Sequence, residues 1–476
     1  MTVVTRIARE EWRLLLRDRV AISGLLLLVL LTLVAALNAY EHQRSANAER
    51  AHYQAQANHA FEAQPDRHPH RVVHYGHFVF RPVNPLAAFD PGIDAYTGNT
   101  LFLEGHRQNT ANFGDVRQSS LLLRFGLLSP AFVLQVLAPL LLIFVGHASV
   151  ARERESGTLR VLLAQGIAGR QIVAGKLLAL SGFAGLAVLP ALFALGWLGV
   201  SGHAPWEQAL LLAVAYVGWL LLWALVVVVV SSQFQRGRDA LLALLVAWAV
   251  LVILLPRWLP DLVNTSVPLP TRFESAINAE REYKELGDAH NPDDPYFSAF
   301  RAQVLEKYGV TRIEDLPVNY KGLVGMEGER ASSALFNRYA EALFELQRQQ
   351  NALVDHFSWL SPTLALRRLS MTAAGTDLEN FQRFLRQGED YRYQLIQGLN
   401  QLQVDELVYA DDTNPKKENR ISHTHWQAFP EFEFRPAPPG NVLDRALPAG
   451  LVLLCWLMAF AMLIRVAGTR LGRMAR

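Results

Sequence analysis

Histidine comes closest in this chain to a pattern that could do chemistry. The stretch HPHRVVHYGH carries His68, His70, His74 and His77, and His106, His423 and His425 lie in other polar segments. Imidazoles at such spacings can bind zinc or copper. The spacing is irregular, however, and arginines lie among the histidines. The single cysteine, Cys455, sits within an apolar run, which leaves no internal disulfide and no cysteine-based zinc cluster. These residues are therefore read as solvated or hydrogen-bonded histidines with no metal; His74, His77, His106, His423 and His425 are the candidates should one be held. Hydrolysis has an equally thin basis. His106 lies near Glu104, but neither G-x-S-x-G nor H-E-x-x-H occurs.

A second polar group is more regular. ARERESGTLRVLLAQGIAGRQIVAGK, residues 151–176, is a glycine-punctuated charged island between two long apolar stretches. Its Gly-Lys ending is not a phosphate loop: in the G-x-x-x-x-G-K-[ST] register Arg170 takes the place of the first glycine and Leu177 that of the hydroxyl. No buried strand precedes it either, so the chain is expected to hold no nucleotide. Ser156 or Thr158 can instead cap a new helix, Gly157 permits a sharp turn, and Leu159, Leu162 and Leu163 fall on one face. The pattern predicts a short amphipathic helix parallel to a membrane surface, ended by Gly166 and Gly169.

The elements that must position these groups are set by hydropathy. Hydrophobic residues make up 51% of the 476 residues and are concentrated in long runs, which points to a membrane protein. Six runs approach the twenty or so residues that a spanning helix needs: 20–39, 127–148, 177–200, 209–231, 240–255 and 447–465. Pro139 and Pro190 interrupt the second and third, and Pro256 ends the fifth. None of the runs carries Asp, Glu, Lys or Arg well inside; the nearest polar groups are Gln135 and His147. Ion-coupled transporters place ionisable groups at membrane depth, so any work done here is expected to come from another subunit. A net charge of +2 and no basic run with interleaved aromatics leave no case for nucleic acid.

Arginine placement sets the expected orientation. Arginines gather before the first run, in the island, at Arg236 and Arg238, and at Arg465, Arg470, Arg473 and Arg476. Both termini (1–19 and 466–476) and segment 149–176 are thus expected in the cytoplasm, and two long insertions, 40–126 and 257–446, outside it. In the first nineteen residues Val3, Val4, Ile7, Leu14 and Leu15 share one side and Arg6, Arg9, Arg13 and Arg17 the other, the pattern of an interfacial helix with arginines toward anionic lipid headgroups.

Residues 271–407 read as amphipathic helices, with Ala331, Leu335, Tyr339, Leu343 and Leu346 as one apolar stripe. FVFRPVNP at 78–85 and FEFRPAPP at 432–439 repeat F-x-F-R-P-x-x-P, which suggests two edge strands that pair with each other. The expected fold is all-α: six transmembrane helices, an N-terminal interfacial helix and a mainly helical extracytoplasmic domain formed by the two insertions.

With the island in that setting, Arg152, Glu153, Glu155, Ser156, Gly157, Thr158, Leu159, Leu162, Leu163, Arg170, Gly175 and Lys176 resemble the cytoplasmic coupling segment of ABC transporter permeases of the second exporter type. DPGIDAYTGNTLFLEGHRQN and SPTLALRRLSMTAAGTDLENFQRF resemble the branch with large extracytoplasmic insertions, related to the nitrous-oxide-reductase maturation permease. The resemblance implies a non-catalytic subunit of a bacterial inner-membrane exporter. Residues 152–163 would dock on a separate ATP-binding subunit that holds ATP and magnesium. A second permease copy or paralogue would complete the membrane part, and the insertions would meet cargo or a periplasmic partner. Force transmission without solute transport is the first alternative, and a membrane-anchored metal-binding protein or hydrolase the second.

Overall fold

The computed structural model describes residues 2–112, 128–201, 203–287, 291 and 293–473. The start of the second run at Leu127, residues 113–126 of the first insertion and Arg476 lie outside the described residues.

Six helices are long and apolar enough to cross a membrane: Arg19–Glu62, Pro130–Glu155, Gly169–Val200, Trp206–Gln233, Gly237–Ser266 and Pro439–Arg473. The chain is an all-α, multi-pass membrane protein. The third, fourth and sixth spans pack on one another around a core that includes Leu195, Trp219, Trp223 and Val452. The first, fifth and sixth spans leave most of their apolar surface outward, as Leu26, Leu30, Leu242 and Met462 illustrate.

Three helices run far beyond their apolar stretches. The first span is one helix of 44 residues that continues through polar sequence to Glu62. The sixth begins at Pro439 and the fifth ends at Ser266. Pro190 lies within an unbroken helix, and the other two prolines do not end theirs. Each follows a stretch of wider π-helical turns, Val133–Leu137 before Pro139 and Ala249–Leu254 before Pro256. A proline lacks the N–H for the preceding turn and its ring crowds that turn's carbonyl; a wider turn relieves the clash but leaves a carbonyl to be satisfied. Side chains from other elements supply the donors. The Trp219 indole donates to the Leu134 carbonyl at 3.1 Å, and the Ser361 hydroxyl to the Leu251 carbonyl at 2.8 Å.

The described parts of the two insertions pack together at one end of the bundle, termed the domain end. The other, the terminal end, gathers the N-terminal helix, residues 151–170 and the close of the sixth span. Long helices Tyr320–Phe357 and Leu378–Glu406 pack together, with Arg272–Leu286 beside the first of them. Leu335 of the expected stripe is buried, but Ser332 and Ser333 beside it are buried too. At their centre lies Arg392, 1% exposed, bonded to Glu389 at 2.8 Å and Glu329 at 2.5 Å. A buried guanidinium holds only where carboxylates of this kind surround it.

The repeated F-x-F-R-P segments do not pair. Strand β1, His77–Phe80, runs antiparallel to β2, Thr100–Leu103, in the register Val79 opposite Leu101. Phe432 and Phe434 pack instead as side chains on Phe384, in one cluster with Val79 and Leu101. A local partner within the first insertion takes the edge hydrogen bonds.

Candidate functional site

At the terminal end the second span closes at Glu155, and Gly157 turns the chain into a short helix, Thr158–Ala164. Gly157 has φ +75°, and a Cβ there would meet no atom within 4 Å, so backbone conformation alone calls for glycine. Leu159 and Leu163 are buried and Leu162 packs beside them, while Arg160 and Val161 point outward. The apolar face read from the sequence is thus the inner one.

The acidic residues of the island are bonded to other parts of the chain. Lys176, at the base of the third span, is 3% exposed and bridges Glu153, at 2.7 Å, and Glu11 of the N-terminal helix. A buried ammonium needs such partners to offset the hydration it loses. The Thr158 hydroxyl donates to the Glu153 carboxylate, and Arg152 approaches Glu11 at 3.5 Å. Glu155 accepts from the Gly237 backbone N–H at 3.2 Å, where the first turn of the fifth span favours a carboxylate. The Ser231 hydroxyl accepts from the backbone N–H groups of Val150 and Ala151, at 3.0 and 3.1 Å. The bend is thereby fastened to the N-terminal helix and to the third, fourth and fifth spans. Ser156, Arg160 and Val161 remain on its outer face.

The N-terminal helix, Val3–Arg17, lies across the third span, where Gly175 and Gly182 admit Ile7 and Trp12. Its packed face carries Ile7, Ala8, Glu11, Trp12 and Leu15. Leu14, expected there, is 44% exposed, and Arg6, Arg9, Arg13 and Arg17 are all exposed.

At the domain end, helix Pro362–Ala374 packs between the fourth and sixth spans. A line of hydrogen bonds crosses it. Gln135 of the second span donates to the Tyr216 hydroxyl at 2.6 Å, Tyr216 lies 2.9 Å from the Ser370 hydroxyl, and Ser370 donates to Asp90. Ser370 has one proton and gives it to Asp90, so the Tyr216 proton points to Ser370 and every donor runs toward the carboxylate. Burial pushes the Asp90 carboxyl above its ordinary value. Beside this line opens a cavity of about 820 Å³ that both π-helical stretches reach, through Gln135, Val136, Val252 and Ile253. Arg257 and Arg367 stand exposed on its wall with no ion-pair partner among the described residues. The Thr363 hydroxyl, also on that wall, is buried without a hydrogen-bond partner among them.

The histidine candidates separate. His77, in β1, is buried against the rings of Phe61 and Tyr391, and burial lowers it to about 4. His423 pairs with Asp66 at 2.7 Å, and His425 lies in the short helix Thr424–Gln427 that His423 precedes as N-cap. The Glu104 carboxylate accepts from Asn109. His74 and His106 do meet, together with His70, which was not among the candidates; one ring nitrogen from each lies within 4.8 Å of the others. The i, i+4 spacing of His70 and His74 was the available signal.

A family described as a domain of unknown function, DUF3526, matches residues 272–435. The match covers the helical second insertion and ends before the sixth span. No curated protein and no solved structure matches the chain.

Proposed function

We propose that this chain is the permease subunit of an ABC-type exporter, in which a separate ATP-binding subunit, holding ATP and magnesium, drives the bend at residues 151–166. The observation that carries this reading is the build of the bend. Glu153, Glu155, Leu159 and Leu163 are used internally, whereas Arg160 and Val161 are left outward on a short helix with no strand, loop or helix of its own chain to cover them among the described residues. A helix held this rigidly passes on a push rather than absorbing it. The arginines gathered at the terminal end support this reading, with that end in the bacterial cytoplasm and the inserted domain in the periplasm. A second permease copy or paralogue packs against the apolar faces of the outer spans. The cavity at the domain end receives the cargo; its apolar residues and the exposed Arg257 and Arg367 suit an amphiphile with an anionic head.

One feature favours a second reading, in which motion alone reaches a periplasmic partner: the first and sixth spans enter the inserted domain as unbroken helices. Transport and force transmission share the same coupling step.

The test is co-purification from native membranes. An ATP-hydrolysing subunit is expected to accompany the wild-type chain and to be lost from Val161→Asp, which changes an exposed side chain and leaves the membrane fold intact. A chain purified with no ATPase overturns the proposal. So does labelling of Arg160→Cys, in a Cys455→Ala background, by a membrane-impermeant maleimide from the periplasmic side.

A further inference from the structure

Three imidazoles converge on the surface of the inserted domain from two separate stretches of chain. His70 lies in the helix Pro69–Val73 and His74 caps its end, so the two rings stand one turn apart on the same side, with their Nε2 atoms 3.1 Å apart. His106 arrives from the turn after β2. That turn is tied to the histidine helix by the Gly105 N–H, which donates to the Val73 carbonyl at 3.3 Å. It is tied to the second insertion by Arg392, which donates to the Glu104 carbonyl at 3.1 Å.

Two further observations set this group apart from a chance cluster. His106 is the one described residue other than glycine with a positive φ, at 61°. Such a conformation is uncommon outside Asn, Asp and His and is found where surrounding structure holds it. Glu329 does the holding: its Oε2 accepts from the His106 backbone N–H at 3.0 Å and lies 3.4 Å from the ring Nδ1. Glu329 is fully buried and itself fixed by Arg392. A buried carboxylate behind Nδ1 orients an imidazole with Nε2 forward, the arrangement that accompanies histidine ligands in metal sites.

We propose that His70, His74 and His106 bind one divalent transition-metal ion of the zinc, copper and nickel class, with Glu329 as the outer carboxylate behind His106. Neutral imidazoles without thiolate or a directly facing carboxylate suit these ions and disfavour calcium and magnesium. Two nitrogens on a tetrahedral zinc lie about 3.3 Å apart, close to the separation of the His70 and His74 Nε2 atoms. Three protein ligands leave a fourth position open. His70 and His106 also line a cavity of about 700 Å³, together with Tyr283, Tyr296 and Arg301. The site does not depend on the ATPase-coupling role: its ligands belong to the inserted domain alone.

The experiment uses the full chain in detergent or nanodiscs, freed of any affinity tag and treated with a chelator. Cobalt(II) is titrated and followed by visible absorption, with zinc as competitor and bound metal counted by mass spectrometry. The expected result is one cobalt per chain with the intense bands of a four-coordinate ion, displaced by zinc. His74→Ala and His106→Ala should each weaken binding by more than the ~10–100-fold typical of losing an outer-shell partner, while His423→Ala binds as wild type. Since His74 is exposed, its variant should keep the metal-free melting temperature, and zinc should raise the melting temperature of wild type and of His423→Ala but not of His74→Ala. Binding below one equivalent in wild type overturns the site. So does binding of equal strength in the His70→Ala/His74→Ala/His106→Ala variant, or binding lost in His423→Ala.

Discussion

Two fastenings, one at each end of the membrane bundle, work by opposite means. At the terminal end a buried ammonium, Lys176, holds two carboxylates, and the turns beside it at Gly157 and Gly166 stand in open space. At the domain end the line from Gln135 through Tyr216 and Ser370 to Asp90 connects uncharged side chains to one carboxyl that burial pushes toward its neutral form. The difference lies in what each fastening loses when a partner goes. Removing a charge from a buried ion group strands another charge, whereas removing a hydroxyl strands only a dipole. A fastening made of charges is thus stiff against small disturbance and fails abruptly; one made of neutral bonds gives way in smaller steps, and at the domain end the Arg445–Asp377 pair, at 3.0 Å, stands beside it.

The largest test of this contrast is Lys176→Met. With Glu11 and Glu153 left facing each other, the loss should be about 3–5 kcal/mol, read as a lower thermal midpoint in detergent. Glu11→Gln combined with Lys176→Met should recover part of it. Tyr216→Phe at the other end removes one hydroxyl from the line and should cost about 1–3 kcal/mol by the same measurement. If it costs as much as Lys176→Met, the two fastenings do not differ as described. Gly157→Ala should cost about 1–2 kcal/mol, all of it from the left-handed backbone. Its melting should therefore match that of Gly157→Ser, since nothing stands near the added atoms.

The smallest net effect is with pH, because two groups of the inserted domain oppose each other. His77 is lowered to about 4 by burial, so its contribution is present above the ordinary histidine value and is lost as pH falls from about 6.5 toward 4. Asp377 is raised to about 6 by burial, with Glu379 adding to the effect, so its contribution grows as pH falls from about 6 toward 4. Wild-type melting should change little across that window. His77→Leu should leave stability rising on acidification, and Asp377→Asn should leave it falling.

Much of this contrast was hidden in the sequence for physical reasons. The spans were legible because long apolar runs have no other use. Their ends were not, since the first and sixth helices continue through polar residues that the domain covers. Pro139 and Pro256 read as interruptions because the donors that heal those turns, Trp219 and Ser361, come from distant segments. Gly157 and the leucines marked the bend directly. The roles of Glu153 and Glu155 depend on Lys176 and on the Gly237 N–H, which only folding brings near. His106 lies 32 positions beyond His74, so no local spacing joins them. Arg392 and Glu329 lie within helices read as amphipathic, and nothing local marks them as the centre of the domain.

The first span offers a mechanical advantage. At about 1.5 Å per residue its 44 residues make a rod of roughly 66 Å, more than twice the ~30 Å hydrocarbon thickness. A rocking of about 10° at its base would sweep the far tip through about 11 Å. Since Phe61 near that tip shares a core cluster with Val73, between His70 and His74, a slight tilt beside the headgroups would become a wide excursion of the histidine face.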